Sequence, residues 1–205
     1  MNKTEKVLSL IREINRPGTE ALIEYINTTN YFTTAKCYSH HKYNGGLLDH
    51  SLEVLDAMLK NNHAGLSRES LTVAALFHDL GKATVNGKKF SGDFHPIRSV
   101  KILKHCGYEL TADEEDAIIG HHNVDFNKTL RTLLRKADGI SYKVSKRKAK
   151  YIFGALLYPA LNFGQNSLEF IFKNEIKRSL QHKIPDTQIC PENFPTHICV
   201  SGVLS

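Results

Sequence analysis

Seven consecutive residues, Leu71-Thr-Val-Ala-Ala-Leu-Phe77, are apolar on nearly every side of a helix and run straight into His78-Asp79. A helix with no polar face to turn towards water belongs at the centre of its domain. Ser67 is suited to cap its N-terminus, and Gly81 to close it as a left-handed glycine beyond the last turn. His78-Asp79 is then carried into the interior, where an ionised carboxylate is very costly unless it is paired or bound to a metal. The dipeptide by itself is weak as a motif; its setting makes it informative.

Elsewhere, apolar residues recur at three- and four-residue intervals and strand-like alternation is scarce, so the fold class is all-α. The spacing predicts helices over 3–15, stopped by Arg16-Pro17-Gly18, and over about 19–27. A third runs from Leu47 to Leu59, with Leu48, Leu52, Leu55 and Leu59 on one stripe. Pro96 fits the first turn of a helix reaching Cys106 and closed by Gly107. Thr111 and Glu114 have capping-box spacing and open a short helix to Gly120. Leu130, Leu133, Leu134, Ala137 and Ile140 mark another helix, and two more are expected at about 148–160 and 166–183. The 205 residues are expected to form one domain over 1–185, with its core over about 30–145 and a C-terminal tail, 186–205, holding at most a short strand.

No run of 18 or more apolar residues exists, and the N-terminus lacks the continuous apolar core of a signal peptide. Cys37, Cys106, Cys190 and Cys199 include no CxxC pair and read as reduced thiols, so a cytoplasmic location without membrane contact is expected. Twenty-seven bases against 21 acids leave a net charge of +6, which favours phosphate-bearing partners without selecting one. The excess is concentrated between residues 128 and 150, where Asp138 is the only acid among Lys128, Arg131, Arg135, Lys136, Lys143, Lys146, Arg147, Lys148 and Lys150. Such a run is either a solvated helix face or a surface for an anionic or nucleic-acid partner, here through 143–150.

Other polar residues point towards the same core. His50 stands three residues after Leu47 and four before Val54, and Asp138 stands four after Leu134, so each lies on the inner side of its helix. Any one of them is readily a hydrogen-bonded core residue. Two imidazoles and two carboxylates together have a more economical explanation, a shared divalent cation. Nitrogen and oxygen donors without thiolate suit Mn²⁺, Fe, Ni²⁺, Co²⁺ or Mg²⁺ better than a closed structural zinc site.

The order His50 … His78-Asp79 … Asp138, with the strings HHKYNGGLLDHSLEV (His40 to Val54) and ALFHDLGK (Ala75 to Lys82), resembles the HD-domain metal-dependent phosphohydrolase superfamily. The first string is also similar to HD modules of a bacterial 3′–5′ exoribonuclease family and of conjugative relaxases. The resemblance covers roughly residues 30–145 and implies an HD-type helical bundle, here with extra N- and C-terminal helices. It implies that His50, His78, Asp79 and Asp138 bind a metal. It further implies that Asp79 bridges to a second ion held by His95 and His121, with His122 a further ligand or a substrate contact. Read from the residues alone, His95 is equally a polar group at a helix start, and His121-His122 a solvated pair. The Gly-Tyr-Pro that follows the double histidine in one cyclic-dinucleotide branch is replaced here by Asn123-Val124-Asp125.

The activity implied is hydrolysis of a phosphate ester of a nucleotide or nucleic-acid end, by a water that one or two divalent ions activate. Asp79, Lys82 and His122 are the expected catalytic residues. Lys82 would reach a phosphate oxygen, or would merely complement the end of its helix. His40, His41 and Tyr43 either line the mouth of the site or belong to an ordinary loop, and Lys143, Lys146, Arg147 and Lys148 would guide the substrate. The alternative is a nucleic-acid-binding accessory module with a structural metal.

Overall fold

A computed structural model of the chain describes residues 2–35, 40–123 and 128–162, with their side chains up to residue 147. Every residue from Leu71 to Phe77 is buried, as the all-round apolar pattern requires. The elements in order are α1 (Lys3–Ile14), α2 (Thr19–Thr28), α3 (Gly46–Lys60), α4 (Arg68–Phe77), a 3₁₀ turn (Leu80–Lys82), α5 (His95–His105), α6 (Ala112–Gly120) and α7 (Thr129–Asn162). Among the described residues there is no strand, only an isolated antiparallel bridge between Val85 and Lys88, and the architecture is all-α. The chain divides into two compact units, Met1–Ala149 and Lys150–Ser205, and the site lies within the first.

Helix α4 is apolar all round because two hydrophobic clusters meet on it. Val73, Leu76 and Phe77 pack with Val7 and Ile11 of α1, Leu22 and Ile26 of α2, and Val100 and Leu103 of α5. Leu71, Ala74 and Ala75 pack with Val54 and Met58 of α3, Ala117 of α6, and Leu134 and Ala137 of α7. Full burial of each large side chain contributes about 1.5–3 kcal/mol, so both clusters hold α4 in place. Its C-terminal end is therefore surrounded by α3, α5, α6 and α7.

Local signals set most boundaries. The side chain of Ser67 accepts from the backbone N–H of Ser70, and Thr111 and Glu114 close a complete capping box. Pro96 lies in the first turn of α5, and Gly107 follows that helix with a positive φ of 67°.

Two expectations are corrected. Gly81 is not a left-handed cap: α4 ends at Phe77, and Gly81 sits inside the 3₁₀ turn. What requires glycine there is close approach, since a Cβ would stand 2.2 Å from the His95 carbonyl oxygen. The helix expected over 148–160 is not separate but continues α7 without a break. The basic run is rich in good helix formers, and neither Gly nor Pro interrupts residues 140–153. The helix expected over 166–183 and the tail 186–205 lie outside the described residues.

Candidate metal centre

His78 is the C-cap of α4, still in right-handed helical conformation. Its Nδ1 lies 2.9 Å from the Ala75 carbonyl oxygen, which can only accept, so Nδ1 carries the proton and Nε2 presents a lone pair. His121, just past α6, repeats the device: Nδ1 donates to the Ile118 carbonyl at 2.7 Å. In both cases a helix end folds the imidazole back onto the carbonyl three residues before it. The freed Nε2 atoms converge on Asp79, that of His78 standing 3.4 Å from Oδ2 and that of His121 3.9 Å from Oδ1. The buried His121 Nε2 has no hydrogen-bond partner among the described residues.

Asp79 is fully buried. On its Oδ1 side, His95 Nε2 approaches to 3.0 Å. The position of His95 depends on Gly81, because the start of α5 rests on the Gly81 backbone. Ser99 Oγ accepts from the Gly81 N–H at 2.8 Å, and the Arg98 guanidinium donates to the Gly81 carbonyl. Exposed His122 stands beside His95, with the two Nε2 atoms 3.2 Å apart. On the Oδ2 side, Lys82 Nζ donates at 2.8 Å and His50 Nε2 lies at 3.7 Å. His50 Nε2 is also 3.1 Å from Asp138 Oδ1, which α7 brings in.

All the residues expected at the site are thus brought together. Possible ligand atoms of His50, His78 and Asp138 lie within 4.8 Å of one another, as do those of His78, Asp79 and His121, and those of His95, His121 and His122. Asp79 lies between the outer two groups and presents one oxygen to each. Imidazole and carboxylate donors without thiolate suit a divalent transition ion, and the unpartnered His121 Nε2 fits a ligand awaiting one. Lys82 sits on Asp79 itself, so its charge serves the buried carboxylate.

The electrostatics agree with that use. Burial alone would push the Asp79 carboxyl up, but the His78 imidazole, the Lys82 ammonium and the His95 imidazole around it hold it well below the usual carboxylate range. Burial pushes His121 down to about 3, reinforced by the neighbouring imidazoles of His78 and His122. Burial likewise lowers His95 and His122. Ionised aspartate and neutral imidazole are the metal-binding forms.

Sequence reasoning missed Glu53 and Ser141. Ser141 Oγ accepts from His50 Nδ1 at 3.0 Å and donates to Glu53 Oε2 at 2.9 Å, so side chains fix the His50 tautomer that leaves Nε2 facing Asp138. The available signal was spacing: Glu53 follows His50, and Ser141 follows Asp138, by three residues on the same helix faces. His41 Nε2 lies 3.1 Å from the same Glu53 oxygen, and His40 and His41 pack edge-on against the His50 ring. These two histidines are buried behind His50 and do not line the cavity of about 820 Å³ that opens beside His121, His122 and Asp138. Tyr43, more exposed, donates its hydroxyl to Asp49. Lys143 lines that cavity, whereas Lys146 lies over the Tyr142 ring, 4.6 Å from its centroid.

Comparison with known proteins gives one result. The model of the HD domain family matches residues 47–152, more than half of the chain. No curated protein and no solved structure matches it. The matched span contains His50, His78, Asp79, His95, His121, His122 and Asp138, the residues that meet around the end of α4. The chain belongs to the HD domain family, within a superfamily of metal-dependent hydrolases.

Proposed function

We propose that the protein is a metal-dependent phosphohydrolase that cleaves a phosphate ester of a nucleotide or of a nucleic-acid end. The observation that carries this reading is the meeting of two imidazole-rich groups on the two oxygens of one buried carboxylate, Asp79. His50, His78, Asp138 and Asp79 Oδ2 would hold one divalent ion. His95, His121 and Asp79 Oδ1 would hold a second, with His122, at the exposed edge, completing that set or contacting the substrate. Divalent ions so placed supply an activated water and offset charge on phosphoryl oxygens during in-line displacement.

The chain's own residues then have distinct tasks. The Ala75 and Ile118 carbonyls keep the Nδ1 protons on His78 and His121, so their Nε2 atoms stay available. Ser141 and Glu53 do the same for His50. Lys82 balances the buried carboxylate until cations do so. Water adds to phosphorus, the ester P–O bond breaks, and the leaving alcohol takes up a proton.

Nitrophenyl phosphate and a panel of nucleotides and short strands, assayed with Mn²⁺, Ni²⁺ and Mg²⁺, test the reading. Hydrolysis that stops on chelation and is abolished by Asp79→Ala is expected. Salt-sensitive oligonucleotide binding with no metal-dependent hydrolysis would contradict it and favour an accessory binding module.

A further inference from the structure

The cavity of about 820 Å³ shares His121, His122 and Asp138 with the centre, and a long stretch of α7 forms much of the rest of its wall. Its volume falls in the range of roughly 300–1,000 Å³ common for small-molecule sites. Arg135, Lys136 and Lys143 line it, and among the described residues Asp138 is the only acid that does. These three cations are exposed, and none has a carboxylate partner among the described residues. Lys3, Lys60, Lys104 and Arg131, by contrast, each sit on an acid. Among the described residues, positive charge on this wall is thus in excess, although the centre beside it already attracts anions when it holds divalent ions.

Arg135, Gly139 and Lys143 follow at four-residue steps and form one stripe of α7. Glycine inside a helix is a poor helix former. No close approach requires it at 139, because a Cβ there would meet nothing within 4 Å. Its effect is to leave open the wall between two cationic side chains. A guanidinium forks onto phosphate oxygens and a lysine adds a point charge, a pairing suited to a phosphate group.

We propose that this cavity is an anion subsite for a phosphate of the substrate other than the one cleaved, with Arg135 and Lys143 as specificity-determining residues. The preferred substrate is then a nucleotide-sized molecule carrying at least two phosphates. Its catalytic part rests on the phosphohydrolase reading; anion binding in the cavity does not.

Calorimetry with inorganic tripolyphosphate on the full chain, stripped of metal by chelation, tests the subsite directly. The wild type is expected to bind, and Arg135→Ser/Lys143→Ser to bind about tenfold or more weakly. Gly139→Leu, which fills the wall without removing charge, is expected to weaken binding as well. Lys88→Ser/Lys89→Ser, exposed and away from the cavity lining, should leave it unchanged. With Mn²⁺, the ratio of kcat/KM for a nucleoside bisphosphate to that for nitrophenyl phosphate should fall about tenfold in the double variant. Equal tripolyphosphate affinity in wild type and double variant overturns the proposal. So does affinity for oligonucleotides that climbs with length past a dinucleotide and exceeds that for tripolyphosphate. Loss of tripolyphosphate binding in the double variant, with no ester hydrolysed by any form, would support the subsite and overturn the phosphohydrolase reading.

Discussion

Glu114 and Asp79 are both fully buried carboxylates in one helical bundle, yet their surroundings differ in kind. Glu114 receives both arms of the Arg16 guanidinium at 2.5 and 2.9 Å, and the Thr111 backbone N–H at 2.9 Å. Its counter-charge is permanent and built into the chain. Asp79, among the described residues, is ringed by the imidazoles of His50, His78, His95 and His121 and meets the ammonium of Lys82. Neutral imidazoles offer lone pairs rather than charge, which suits them to ligate a cation that supplies it. The first carboxylate holds the fold together by itself; the second is arranged to be completed by something bound.

Arg16→Met tests that contrast most strongly. It leaves Glu114 buried without its cation and should lower stability by about 3–5 kcal/mol, read from urea unfolding. The lower end is expected, since the Arg16 side chain keeps 15% exposure. Metal content of the folded variant should be unchanged. Metal lost from a folded Arg16→Met protein would show that the two regions are not independent.

Ser141→Ala sharpens the other side. Without the hydroxyl between His50 and Glu53, the His50 tautomer is no longer held, and metal affinity should fall roughly 10–100-fold against a competing chelator dye. Ser141→Thr should restore most of it. Unchanged affinity in Ser141→Ala would mean that the ring is positioned by packing alone.

A smaller effect concerns acid. Burial pushes the Glu114 carboxyl up, but hydrogen bonds from Arg16, Thr111 and Ser70 outweigh it and leave the carboxyl below its ordinary range. As pH falls, the unfolded chain therefore takes up the proton first. The stabilisation is complete above the ordinary glutamate value of 4.5 and is lost as pH drops through the lower folded-state value. Stability measured across that window should fall less steeply in Glu114→Gln than in wild type; equal slopes would remove the ion pair as a source of acid sensitivity.

What the sequence made legible follows from local rules. The apolar stretch Leu71–Phe77 announced a central helix because no face of it could meet water, and Thr111 and Glu114 announced the start of α6 through backbone capping. His50 and Asp138 were visible because a helix repeats every three to four residues. The pairing of Arg16 with Glu114 was not, because 98 residues separate them and each had a sufficient local explanation, one as part of a helix stop and one as a cap. Gly81 shows the same limit from the backbone side: its glycine is required by the His95 carbonyl, which only the packed fold brings near. Glu53 and Ser141 were hidden because they act through His50 rather than on a ligand of their own.

Elemental analysis of the purified protein addresses the Asp79 cage most directly. Two transition ions per chain are expected in the wild type, fewer in His121→Ala, and none retained in Asp79→Ala that still folds. A single ion per chain, indifferent to His121→Ala and to Asp79→Ala, would contradict the account.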